Sequence, residues 1–81
     1  MIKKEEFELF KSTLLELFDN NAISVTALQR KLEWGYPKGA YVMDKLAEKG
    51  IVSEPIEYKR TFKVGREDLI KFLEELKPDE I

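Results

Sequence analysis

Lys38, Tyr41 and Lys45 recur at steps of three and four, with Asp44 and Glu48 a little further round the same helical turn pattern. Together these types could do one kind of chemistry, which is recognition. Ammonium groups neutralise phosphates, and a ring or carboxylate can meet methyl groups and amines on base edges. Arg30 and Lys31 lie before this stretch, and Lys59, Arg60 and Lys63 lie after it. They would extend a cationic surface along a duplex backbone. A solvated surface helix beside an edge strand guarded by lysines would show the same residues, so both readings stay open here.

Catalysis finds little support. The chain has no cysteine and no histidine, which removes thiolate nucleophiles, the common zinc ligands and the usual proton shuttle near neutral pH. Among sixteen acids, Asp44 and Glu48 are four apart on one helix, but each has a lysine at hand, so they read as surface charges. No catalytic residue, metal site or cofactor is expected, and the protein is read as a binding module rather than an enzyme.

With 81 residues, 43% apolar and 37% charged, the chain fits one domain over residues 1–81. A domain of this size hides about 60 to 65% of its unfolded surface, leaving no apolar mass for a deep small-molecule cavity. The first residues mix both charges and no apolar run could span a bilayer, so a cytoplasmic, non-membrane protein is expected. Net charge is -2, unevenly placed. Residues 28–66 carry nine basic groups against five acids, residues 1–27 three against five, and residues 67–81 two against six. A basic middle sits between acidic ends.

The elements that must position these residues follow from spacing. From Lys4 to about Asn20, Phe7, Phe10, Leu14, Leu17 and Phe18 predict an amphipathic helix, stopped by Asp19-Asn20-Asn21. Ser24 is a helix cap, and Val25, Leu28 and Leu32 stripe a second helix to Glu33. Pro37 opens a third, the recognition helix over 37–49, with Ala40, Met43, Leu46 and Ala47 turned inward and Lys49-Gly50 closing it. Residues 24–50 thus read as a helix-turn-helix. Gly50-Ile51-Val52 and Tyr58–Val64 read as the two strands of a wing over 50–64, with Tyr58, Arg60, Phe62 and Val64 on one face and Lys59, Thr61 and Lys63 on the other. A last helix runs over 66–76 with Leu69, Ile70, Leu73 and Leu76 apolar, able either to close the core or to pair two copies as a homodimer. The predicted fold class is mostly α with a small β-hairpin, an α+β winged helix-turn-helix.

Two details carry alternatives. Gly39, in the first turn of the third helix, would admit either a phosphate near the helix amides or a close-packed neighbouring helix. Trp34 and Tyr36, flanking Gly35, read better as core rings than as rings stacked on a base.

Ile23-Ser24-Val25-Thr26, Leu28-Gln29-Arg30-Lys31-Leu32, Gly35-Tyr36, Lys38, Ala40, Leu46 and Gly50-Ile51-Val52 together resemble the gamma domain of the FtsK/SpoIIIE-type DNA translocases. The resemblance implies a winged helix that recognises short oriented DNA sequences steering the motor. In that family the polar residue after Gly-Tyr, an arginine four positions later and an acid three beyond touch bases. Here those positions hold Pro37, Tyr41 and Asp44, so only the acid is kept. The expected function is duplex DNA binding through Arg30, Lys31, Lys38, Tyr41, Asp44, Lys45, Lys59, Arg60 and Lys63. The competing reading is a protein-interaction or dimerisation module in which Tyr41 and Val42, or the last helix, docks a partner chain.

Overall fold

The computed structural model describes residues 2–81. Four helices form where apolar spacing places them: α1 (Phe7–Asp19), α2 (Val25–Leu32), α3 (Tyr36–Glu48) and α4 (Arg66–Glu75). Short 3-10 turns, Lys4–Glu6 and Pro78–Glu80, precede α1 and follow α4. No helix among the described residues is long and apolar enough to cross a membrane.

Each helix end has a local cause. Ser24 Oγ accepts the Ala27 amide at 3.0 Å, as its position before the apolar stripe predicts. Pro37 lies in the first turn of α3, where its missing amide leaves no bond unmade. Gly50 ends α3 with φ +78°, which lets its amide reach the Ala47 carbonyl and the Ile51 amide reach that of Leu46. Asn21, at φ 51°, turns the chain after α1.

Phe10, Leu14, Leu28, Val42, Met43, Leu46, Val52, Leu69 and Ile81 are fully buried and form the centre of one core. α4 packs along α1 and turns Leu69, Leu73 and Leu76 inward. Of the two roles left open for that stripe, burial of Leu69, Leu73 and Leu76 shows that it closes the core. Phe18 meets Phe62 edge-on at 5.1 Å, fastening the segment after α3 to α1.

The predicted α+β class is not what forms. Among the described residues there is no strand, and the expected β-hairpin is replaced by two isolated antiparallel bridges, Val52 with Phe62 and Ile56 with Lys59. The ladder starts, with Ser53 donating to Thr61 and Lys63 donating to Ile51, both at 2.8 Å. It then stops because side chains take the next partners: the Thr61 amide donates to the Ser53 hydroxyl, and Arg60 occupies the Ser53 carbonyl. Pro55 has no amide to give, and Glu57 and Tyr58 turn at φ 51° and 69°. Non-glycine residues in that left-handed region cost on the order of 1 kcal/mol each.

At the other side, Glu6 gathers three donors. Its carboxylate accepts the Trp34 indole at 2.9 Å, the Lys3 amide at 2.7 Å and the Lys38 ammonium. Trp34 is buried and stacks on Phe10, with the Lys38 ammonium 4.8 Å over the ring. Partial burial alone would raise the Glu6 pKa, but the bonds from Lys38, Lys3 and Trp34 outweigh it and bring it from an ordinary 4.5 to about 2.

Two expectations follow for stability. Leu69→Ala should cost about 2–5 kcal/mol in urea unfolding, because α4 is part of the single core. The depressed Glu6 pKa means that its contribution is full above pH 4.5 and fades as pH falls from there toward about 2. Glu6→Ala should cost about 1–3 kcal/mol near neutral pH by leaving the indole and ammonium without their acceptor. That gap from wild type should shrink through the same acid window when unfolding midpoints are compared.

Candidate nucleic-acid interface

The outward side of α3 depends on how tightly its inward side is held. Gly39 is buried against α2, and a Cβ there would lie 3.2 Å from Val25 Cγ1 and 3.5 Å from Gln29 Cγ. Close helix packing therefore accounts for this glycine, and its own amide is already bonded to the Gly35 carbonyl at 3.1 Å. The buried stripe of α3 is Gly39, Val42, Met43 and Leu46, about one residue round from the predicted Ala40, Met43, Leu46 and Ala47. Val42, expected as a docking surface beside Tyr41, is 0% exposed and lies in the core.

That rotation presents Tyr36, Pro37, Tyr41, Asp44 and Glu48 to solvent, with Lys38 and Lys45 partly covered. The expected site residues then separate by what they already hold. Lys45 sits 5.6 Å over the Tyr41 ring and 3.6 Å from Glu48, so Tyr41 and Lys45 act as one amphipathic patch. Lys38 is tied to Glu6, and Lys31 pairs with Glu16 of α1. Arg60 donates to Asp44 Oδ1 at 3.1 Å and to the Ser53 carbonyl at 3.3 Å. Its side chain is only 7% exposed, whereas Asp44 remains largely open. Arg30, Lys59 and Lys63 are exposed and have no ion-pair partner among the described residues.

The Asp44 to Arg60 tie fixes the segment 51–64 beside the outward flank of α3. Between them lies a cleft of about 450 Å³ lined by Val25, Thr26, Tyr36, Pro55, Glu57, Tyr58 and Arg60. Thr26 and Arg30 are one turn apart on α2, so the cleft wall continues toward a free guanidinium. Two of its rings escaped sequence reasoning. Tyr36, grouped with Trp34 as core, is 63% exposed, and Tyr58, placed on the inward strand face, is 96% exposed. No local signal marks Tyr58 as exposed, since Pro55 falls in the expected loop rather than in the strand.

On the far side, Asp19 and Arg66 form a two-toothed pair at 2.8 and 3.2 Å. The Arg66 hydrogen bonds hold the Asp19 carboxyl below its ordinary range. Each charge sits at the unfavourable end of its helix, Asp19 at the C-terminus of α1 and Arg66 at the N-terminus of α4, and the pairing offsets both.

The family model described as the Ftsk gamma domain matches residues 4–64, which takes in α1, α2, α3 and the bridged segment and stops before α4. The DNA translocase FtsK of Caldanaerobacter subterraneus subsp. tengcongensis is 35% identical over 74 residues, covering 90% of this chain and 10% of that protein. The DNA translocase FtsK of Clostridium acetobutylicum is 36% identical over 66 residues, covering 80% and 9%. That of Clostridium tetani is 33% identical over 64 residues, covering 78% and 9%. The chain thus spans no more than 10% of the length of these relatives. No solved structure matches it significantly. Because the match runs through every element that builds and orients the outward face of α3, the chain belongs to the Ftsk gamma domain family.

Proposed function

We propose that this domain binds duplex DNA, with the outward face of α3 in the major groove and the 51–64 segment on the neighbouring backbone, and that it binds without catalysis of its own. Family membership carries the reading, since the relatives are named as DNA translocases. Geometry supports it: an exposed helix face bearing Tyr41, Asp44 and Lys45 is accompanied by Arg30, Lys59 and Lys63, exposed cations with no ion-pair partner among the described residues. A cytoplasmic location belongs to the same reading.

Within it the nine expected residues divide the work. Arg30, Lys59 and Lys63 neutralise phosphates, with Lys31 and Lys38 available only by exchanging Glu16 or Glu6 for a phosphate. Tyr41, Asp44 and Lys45 meet base edges, Asp44 through the carboxylate oxygen that Arg60 leaves open, which suits an amine donor such as that of cytosine. Arg60 holds the segment on α3 and orients Asp44. The target sequence differs from that of relatives with an arginine where Tyr41 stands.

Titrating a labelled duplex at two salt concentrations tests this. Binding should weaken with salt, with a slope near -0.9 per phosphate neutralised. Removing the charges of Lys59 and Lys63 together should shallow the slope by up to about two. Arg60→Gln should change it less, because that charge is already matched by Asp44. Binding that ignores salt, or no binding at low salt, overturns the reading. Separately, Asp44→Ala should relax preference at one base pair by about 1–3 kcal/mol, read by competition among duplexes differing at single positions, while the salt slope does not fall.

A further inference from the structure

The turn Ile56–Lys59 is closed by reciprocal bonds, the Ile56 amide to the Lys59 carbonyl at 2.8 Å and the Lys59 amide to the Ile56 carbonyl at 3.0 Å. Both central residues, Glu57 and Tyr58, are left-handed, a geometry for which asparagine and glycine are the usual choices. Neither is present. The turn instead holds a strained backbone and projects two large apolar side chains into solvent, Ile56 at 75% and Tyr58 at 96% exposure. Nothing in the fold needs them there, since Ile51 and Val52, with Phe62 and Val64 beside them, make the packing contacts of this segment. Local strain combined with exposed apolar bulk marks a contact surface.

Resting on the duplex-binding reading, we propose that Tyr58 and Ile56 form a wedge that enters the minor groove beside the major groove occupied by α3. The Arg60 tie to Asp44 holds the turn beside α3, so a partner that meets one meets the other. Between them lies the cleft, whose lining includes the hydroxyl-bearing residues Thr26 and Tyr36, facing whatever separates the two contacts. In a duplex that separator is one sugar-phosphate strand, and hydroxyl donors suit its oxygens. Lys59 on the turn and Arg30 beyond Thr26 add positive charge at the two ends of this path. Apolar side chains presented this way part a base step and bend the duplex toward the major groove. Glu57 also lines the cleft and opposes the approach of phosphate, so Glu57→Gln should tighten duplex binding.

The test uses the whole chain and a duplex carrying 2-aminopurine at successive steps and a donor and acceptor dye at its ends. Wild type should brighten 2-aminopurine at one step and shorten the end-to-end distance. Because both side chains are exposed, Ile56→Ser with Tyr58→Ala should leave the fold intact. It should weaken duplex binding about tenfold or more, abolish the brightening and the bend, and keep the salt slope, as expected for lost stacking rather than lost charge. Tyr58→Gly should raise the unfolding midpoint by relieving the left-handed strain while lowering affinity, a split that a purely structural residue would not give. Salt-dependent duplex binding that the double variant retains within twofold overturns the wedge, leaves the duplex reading in place and assigns the patch to a protein partner. Absence of duplex binding by wild type overturns both.

Discussion

The approach of α3 to α2 at Gly39 sets what this molecule can present. With no side chain there, the two helices close until a Cβ would lie 3.2 Å from Val25 Cγ1, tighter than ordinary contact. The glycine lowers helix propensity by about 0.5–1 kcal/mol relative to alanine. Burial of Val42, Met43 and Leu46 outweighs that loss, and it locks the rotation of α3 about its own axis. Once that rotation is fixed, Tyr41 and Asp44 must face out, Lys38 must face Glu6, and Asp44 is placed where Arg60 can reach it. The outward face is a consequence of inward packing.

This explains how the sequence could give the helices and still misplace some of their faces. Periodicity located all four helices to within three residues at either end, since Phe10, Leu14, Leu28 and Leu69 repeat at helical steps and all lie in the core. It could not fix the rotation of α3, because Ala40 and Ala47 look as apolar as Val42 and only the Gly39 contact decides among them. The alternating run Tyr58 to Val64 misled for a related reason. Alternation reports a strand when both partners offer backbone bonds, but here Ser53 and Arg60 side chains intercept the ladder, and two left-handed residues end it. A two-sided hairpin pattern and a bridged loop share the same letters.

Charge was legible as type and not as partnership. Lys45 with Glu48 is visible from spacing alone. Arg60 with Asp44, Lys31 with Glu16 and Lys38 with Glu6 join residues 15 to 32 positions apart and exist only through the fold. The basic middle of the chain therefore overstates the charge on offer, since several of its cations are tethers. Arg60 is the clearest case, as its side chain is buried and holds a loop to a helix, whereas the sequence shows only one more cation in a run.

That partition constrains how a chain of net charge -2 could bind a polyanion. Electrostatic attraction scales with the cations free to displace counterions, and around α3 the ones without an ion pair among the described residues are Arg30, Lys59, Lys63 and Lys49. So small a number supplies a shallow, sequence-independent attraction. Glu48, Glu54 and Glu57, all exposed, work against it. On a surface of this kind the remaining affinity must come from contacts that do not depend on charge, which are the base-edge partners on α3 and the apolar groups at its border. Tyr36, Tyr41, Ile56 and Tyr58 are four of the five large exposed hydrophobics among the described residues, and all four lie on α3 or on the turn fastened beside it. Their concentration on one side is what a weakly charged binding face requires, because apolar and stacking contacts keep their strength at salt concentrations that screen the few free cations.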